Sequence, residues 1–102
     1  MSYSIPEFME RLTTQGGETA HLHPTEAPVL KISGVLHRVE GRSLEPGDTE
    51  LFLQSIASDD VLQDFRTSGM VRFEYPFGAT AVFEVMAFRQ DGHVHLVIQR
   101  SR

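Results

Sequence analysis

From Val71 onward the chain changes period. Val71, Phe73 and Tyr75 alternate with Arg72 and Glu74, Pro76-Phe77-Gly78 reads as a turn, and Ala79 to Phe88 runs back as a long apolar tract. Asp91-Gly92 then forms a hairpin dipeptide before His93 to Gln99, again alternating. Apolar residues at every second position give a strand with one buried face, so the last third of the chain is read as an antiparallel meander. That commits the fold, because a sheet with one apolar face needs a layer of helices or another sheet to cover it.

The remaining residues supply that layer. Ser4 followed by Glu7 is a capping-box pattern, and Ile5, Phe8, Met9 and Leu12 recur at helical spacing until Gly16 and Gly17 end the turn. Thr19 to His23 alternates as a half-buried strand closed by Pro24, and Val29 to Ile32 with Val35 to Val39 flank Ser33-Gly34 as a hairpin. Pro46 opens a second helix to about Ala57, with Asp48 and Glu50 at the positive end of its dipole and Leu51, Phe52 and Ile56 as its apolar face. Ser58, Asp59 and Asp60 start a third helix to about Thr67, carrying Val61, Leu62 and Phe65 and stopped by Gly69. The expected fold is α+β, a mostly antiparallel sheet of five or six strands with helices packed on one face. At 102 residues it forms a single domain, 1–102.

Composition excludes several function classes. The formal charge of −5, with nine basic residues scattered along the chain, opposes binding to a phosphate backbone, so nucleic acid is not an expected partner. There is no cysteine, hence no disulfide and no thiolate metal site. The N-terminus lacks the basic start and apolar core of a signal peptide, and the apolar tract at 79–88 is too short to span a bilayer. A soluble cytoplasmic protein without membrane insertion is expected.

Catalytic signatures are lacking: no nucleophile elbow, no catalytic spacing and no GxxxxGK[ST] phosphate loop occur, and Lys31 is the only lysine. The chain is therefore expected not to be an enzyme, with no catalytic residues and no cofactor. Two HxH pairs, His21 with His23 and His93 with His95, are the candidate metal ligands, since residues two apart on a strand share a face and imidazole nitrogens suit Zn²⁺ or Ni²⁺. The simpler reading of the same four residues, polar side chains on a solvated sheet face, is preferred, so no metal site is expected.

Particular residues then point to a family. EtaHLHpteaPvLkisGvL, Glu18 to Leu36, is similar to the family segment SDLHL, a short loop, then PPMxRxxGxL, and VFEVMAFRQ, Val82 to Gln90, resembles RFRVNAFxQ. An LxPxDTE helix start at Leu44 to Glu50 falls between them. The chain resembles the N-terminal, PAS-like domain of the PilT/GspE family of type IV pilus and type II secretion ATPases, without the motor. The resemblance implies a domain that packs on a neighbouring motor domain in a hexamer. It also implies lost nucleotide contacts, because the two family arginines that reach toward phosphates are replaced by Val82 and Glu84. A carboxylate repels a triphosphate. The family arginine after PPMx is Lys31, and the Asp of SDLHL is Thr19. The start at Met1 and the altered arginine positions favour a stand-alone chain over a piece of a longer ATPase.

One strand is apolar on both sides. Phe83, Val85 and Ala87 form one row, and Val82, Met86 and Phe88 with Glu84 the other, so one row packs under the helices and the other needs a cover. Val82, Glu84, Met86 and Phe88 are accordingly the candidate interface. The expected function is a non-catalytic protein-interaction or regulatory domain in a type IV pilus, twitching-motility or type II secretion ATPase system, its partner being such an ATPase or a second copy in a homodimer. The alternative is a PAS-like module that senses a small ligand or a metal. Large residues at Phe8, Phe52, Phe65, Phe73 and Phe83 argue for a filled interior and favour the first.

Overall fold

The computed structural model describes residues 4–39, 41–79 and 81–101; the reading of Met1 to Tyr3 as free of a leader, and Thr80 in the expected strand from Ala79, lie outside them. The chain runs α1 (Ile5–Thr14), β1 (Gly17–Leu22), β2 (Val29–Ile32), β3 (Val35–Arg38), α2 (Pro46–Ile56), α3 (Asp59–Ser68), β4 (Met70–Phe77), β5 (Ala81–Gln90) and β6 (His93–Arg100). All six strands form one antiparallel sheet in the order β3-β2-β1-β6-β5-β4. The fold is α+β, as the change of period implies.

Helix starts follow their caps. The Glu7 and Val61 amides donate to the Ser4 and Ser58 hydroxyls at 3.4 and 3.3 Å. At α2 the Asp48 carboxylate accepts the Glu45 amide at 2.8 Å and grips the Arg42 guanidinium through both oxygens at 2.6 and 3.2 Å. Arg42 first, then the Glu45 amide, hold that carboxyl below its ordinary range. Gly69 ends α3 at φ 78°, the left-handed conformation that glycine adopts without penalty. Both hairpins turn where the dipeptides lie, with positive φ at Ser33 and Gly34 (50° and 79°) and at Asp91 and Gly92 (53° and 79°), as a type I′ turn requires.

The three helices cover one face of the sheet. Ile5, Phe8, Met9 and Leu12 of α1, Phe52 and Leu53 of α2 and Phe65 of α3 join Ala20, Leu22, Leu30, Phe83, Val85, Ala87, Val94, Leu96 and Ile98 in a single core. Each large side chain buried there contributes about 1.5–3 kcal/mol. Phe8 and Phe52 meet edge to face at 6.2 Å.

Four local expectations are corrected. Leu51 is 64% exposed, and α2 buries Thr49, Phe52 and Leu53 instead. Positions 49, 52 and 53 share a helical face that the choice of Leu51 missed by one residue. Phe73 is only half-buried because β4 is the sheet edge. Pro76 and Phe77 belong to β4 and do not form a turn, an edge strand tolerating a proline that cannot donate, and β5 accordingly runs from Ala81 to Gln90. Gly17 does not stop α1 but begins β1, where a Cβ would stand 2.4 Å from Leu12 Cδ2 and 2.8 Å from its Cα. Glycine is required there by close approach.

Candidate functional site

The face away from the helices is the candidate site. Because side chains alternate, the residues between the core positions all point to it, and the strand register aligns them in rows across the sheet. One row reads Leu36, Lys31, Thr19, Gln99, Glu84, Glu74 from β3 to β4, and the next reads Arg38, Val29, His21, Val97, Met86, Arg72. In a third row His95, Phe88 and Met70 are in register, and His23 joins them from just past the end of β1. Every one of these side chains is half-buried or exposed, whereas the alternate positions Ala20, Leu22, Leu30, Val85, Ala87, Leu96 and Ile98 are fully buried.

Val82, Glu84, Met86 and Phe88 therefore share this open face, each half-buried by its strand neighbours alone. Arg72 stands over this strand, its Nε 3.6 Å from Glu84 and its guanidinium 3.9 Å from the Met86 sulfur. Apolar character extends beyond the expected strand: Val97 and Val29 continue the Met86 row, and Leu36 and Met70, 66% and 58% exposed, stand on the two edge strands. Val97 was legible as the residue two after His95, on the same face of the strand. Leu36, Val29 and Met70 needed the strand order, which no local pattern reports.

His21, His23 and His95 come together on this face, but His93 does not join them, lying exposed opposite Gln90 at the hairpin end. The Nδ1 atoms of His23 and His95 are 2.8 Å apart. The His95 ring stacks on Phe88 at 5.1 Å and 8°, and His21 stacks on His23 at 6.1 Å. Burial first, then the neighbouring His95, lower the His23 pKa below its ordinary 6.5, while Glu26 acts in the opposite direction. Among the described residues no group of three or more His, Cys, Asp or Glu is arranged to hold a metal ion. The cluster is an imidazole pair within hydrogen-bond distance, with His21 stacked on one member and Phe88 on the other. His37 pairs with Leu30 on the helix side yet remains exposed, since β3 lies beyond the helices.

The surface also carries a cleft of about 450 Å³ bordered by Thr25, Ala27, Arg38 and Ser43. Under α1 the space between sheet and helix is taken by Phe8, Met9, Leu12, Leu22 and Phe83, all at most 2% exposed, and between α2, α3 and the sheet a smaller cleft of about 170 Å³ is bordered by Leu53, Leu62, Phe65, Arg89 and Val94. Among the described residues no helix is long and apolar enough to cross a membrane.

A six-stranded antiparallel sheet with three helices on one face and a half-apolar second face defines the class of domain. No protein-family model matches the sequence, and no curated protein matches it. Among solved structures, the fold is similar to part of the pilus retraction motor PilT, crystallised with bound ADP, at a TM-score of 0.84 and 23% identity over 96% of this chain and 29% of that one. It is also similar to part of the ATPase DotB of Legionella pneumophila, at a TM-score of 0.74 and 16% identity over 98% of this chain and 30% of that one. The DotB ATPase of Yersinia pseudotuberculosis matches at 0.71 and 14%, over 93% of this chain and 29% of that one. The chain thus spans under a third of these ATPases and shares the fold of one of their domains, consistent with the N-terminal domain that the resemblance of 18–36 and 82–90 implies.

Proposed function

We propose that this chain is a non-catalytic interaction or regulatory domain that works with a type IV pilus or type II secretion ATPase, and that it makes its contact through the open sheet face. The observation that carries the reading is the row of Val82, Met86 and Phe88, continued by Val97, on a face to which no helix contributes its buried side chains. Contiguous apolar surface of this kind marks contact sites on small domains. The likeness to PilT and DotB over nearly the whole chain supplies the kind of system. Within these 102 residues there is no GxxxxGK[ST] run, and Glu84 stands where the resemblance would have a phosphate-binding arginine. The filled interior favours this role over a ligand sensor, which needs space between sheet and helices.

The test is a titration of the purified chain against a purified PilT-type ATPase, followed by the hydrolysis rate of that ATPase with and without the chain. Binding that Met86→Lys removes is expected, because a charge tolerated in water is costly inside an apolar contact. ATP with Mg²⁺, titrated calorimetrically into the chain alone, should give no heat of binding. Micromolar ATP affinity would overturn the non-catalytic assignment, and no ATPase contact at any accessible concentration would overturn the assignment to that system.

A further inference from the structure

We propose that the open face is the interface of a symmetric face-to-face homodimer, whose two-fold axis lies in the interface and runs along the strands between β1 and β6. This rests on the reading of the face as a contact surface and gives its occupant in the isolated chain as a second copy, which an ATPase partner has to displace.

The row structure carries the inference. An axis along the strands at the centre of the order β3-β2-β1-β6-β5-β4 lays β2 of one copy on β5 of the other and maps each row onto itself. In the first row, Lys31 then faces Glu84 of the second copy, Thr19 faces Gln99, and both contacts occur twice. In the second row, Val29 faces Met86 and His21 faces Val97, which gathers these three apolar side chains near the centre, while Leu36 faces Glu74 at the ends of the first row. Among the described residues Lys31 and Glu84 have only loose ion pairs within the chain, to Glu18 at 3.7 Å and to Arg72 at 3.6 Å. Opposed charges across an interface fix its register, and the register here follows from the sheet alone.

The alternative axis, across the strands through the second row, sets Arg38 on Arg38 and Arg72 on Arg72 and brings Lys31 no acidic partner. The axis along the strands also sets Arg38 against Arg72, twice, at the two lateral edges of the second row, so what separates the two axes is the Lys31–Glu84 pairing. Both arginines are exposed, and the angle of about −30° between packed twisted sheets displaces edge strands more than central ones.

The available area sets the strength. Six strands about 4.8 Å apart, with three rows about 6.7 Å apart, offer roughly 550 Å² per copy. The total of about 1,100 Å² lies just above the ~1,000 Å² at which specific interfaces begin, so the dimer is reversible and weak.

Sedimentation velocity of the full chain from about 5 to about 500 µM brackets the affinity of such a small interface. A concentration-dependent dimer is expected, and Met86→Lys should weaken it at least about tenfold with an unchanged circular-dichroism melt; Met86→Gln serves if the lysine variant fails to fold. Lys31→Glu and Glu84→Lys should each weaken association, and the double exchange should restore it, an outcome that a role confined to one copy does not produce. A wild type monomeric throughout overturns the proposal, as does a dimer indifferent to Met86 and to both exchanges. A monomer that nevertheless binds a PilT-type ATPase through Met86 overturns the homodimer while leaving the proposed function standing.

Discussion

The His23 and His95 rings meet nitrogen to nitrogen, Nδ1 to Nδ1 at 2.8 Å, so one of the two carries the proton and the other accepts it. A neutral pair satisfies both atoms with a single hydrogen. A second proton would turn two donors against each other on the face where Phe88 stacks on His95. The pair lies between residues 72 positions apart in sequence, at the junction of the two halves of the sheet.

Stability should therefore depend on pH through His23. Its folded-state pKa is lowered, by burial and then by His95, below the 6.5 of an exposed histidine, so the unfolded chain binds the proton more tightly than the folded one. The contribution is fully present above about 6.5 and is lost as pH falls from there toward the lowered value. Neighbouring His21 acts in the same direction and Glu26 against it. The melting temperature should fall on acidification through this range, and His23→Asn should flatten that part of the profile. An unaltered slope in the variant would assign the pH dependence elsewhere.

Zinc should not stabilise the chain. His21, His23 and His95 offer three imidazoles, two of them already bonded to each other, and His93 lies apart at the hairpin end, which falls short of the four ligands that a structural zinc site needs. Thermal melts at pH 7.5 with and without Zn²⁺ should coincide. A zinc-dependent rise that His23→Ala and His95→Ala abolish together would show that the cluster rearranges to bind metal.

Gly17→Ala should destabilise the fold by about 1–3 kcal/mol, the usual cost of forcing a methyl group into packed structure. The new Cβ would meet both the Leu12 side chain and its Cα, and backbone cannot yield as a flexible side chain does. Urea denaturation of the variant checks this. A loss no larger than that of Gly47→Ala, where a Cβ meets nothing within 4 Å, would contradict the packing argument.

Local chemistry was legible and long-range pairing was not. Ser4 and Ser58 cap helices because a hydroxyl beside three free amides has few alternatives, and Ser33-Gly34 and Asp91-Gly92 turn because their backbones accept positive φ. Alternation along β5 and β6 fixed which side chains share a face. Leu51 departs from expectation because Leu51, Phe52 and Leu53 are all apolar, and only the position of α2 against β6 decides among them. Pro76 departs because a proline signals a turn unless its strand is at an edge, and edge position depends on the order of strands. The same order creates the His23–His95 contact and extends the apolar face to Val29 and Leu36.

The strand order also bears on how the chain folds. β1, β2 and β3 form one meander and β4, β5 and β6 another, each closed by short connections, and the sheet becomes continuous only where β1 meets β6. That seam joins segments near opposite ends of the chain, so the loop-closure entropy of the whole domain falls on one strand pair. Each half can organise locally and quickly, and the rate-limiting event is then their meeting, with α1 laid over β1 and α2 over β6 on its two sides. Substitutions along the seam, such as at Ala20 or Ile98, should slow folding, whereas those at the outer edges should chiefly speed unfolding.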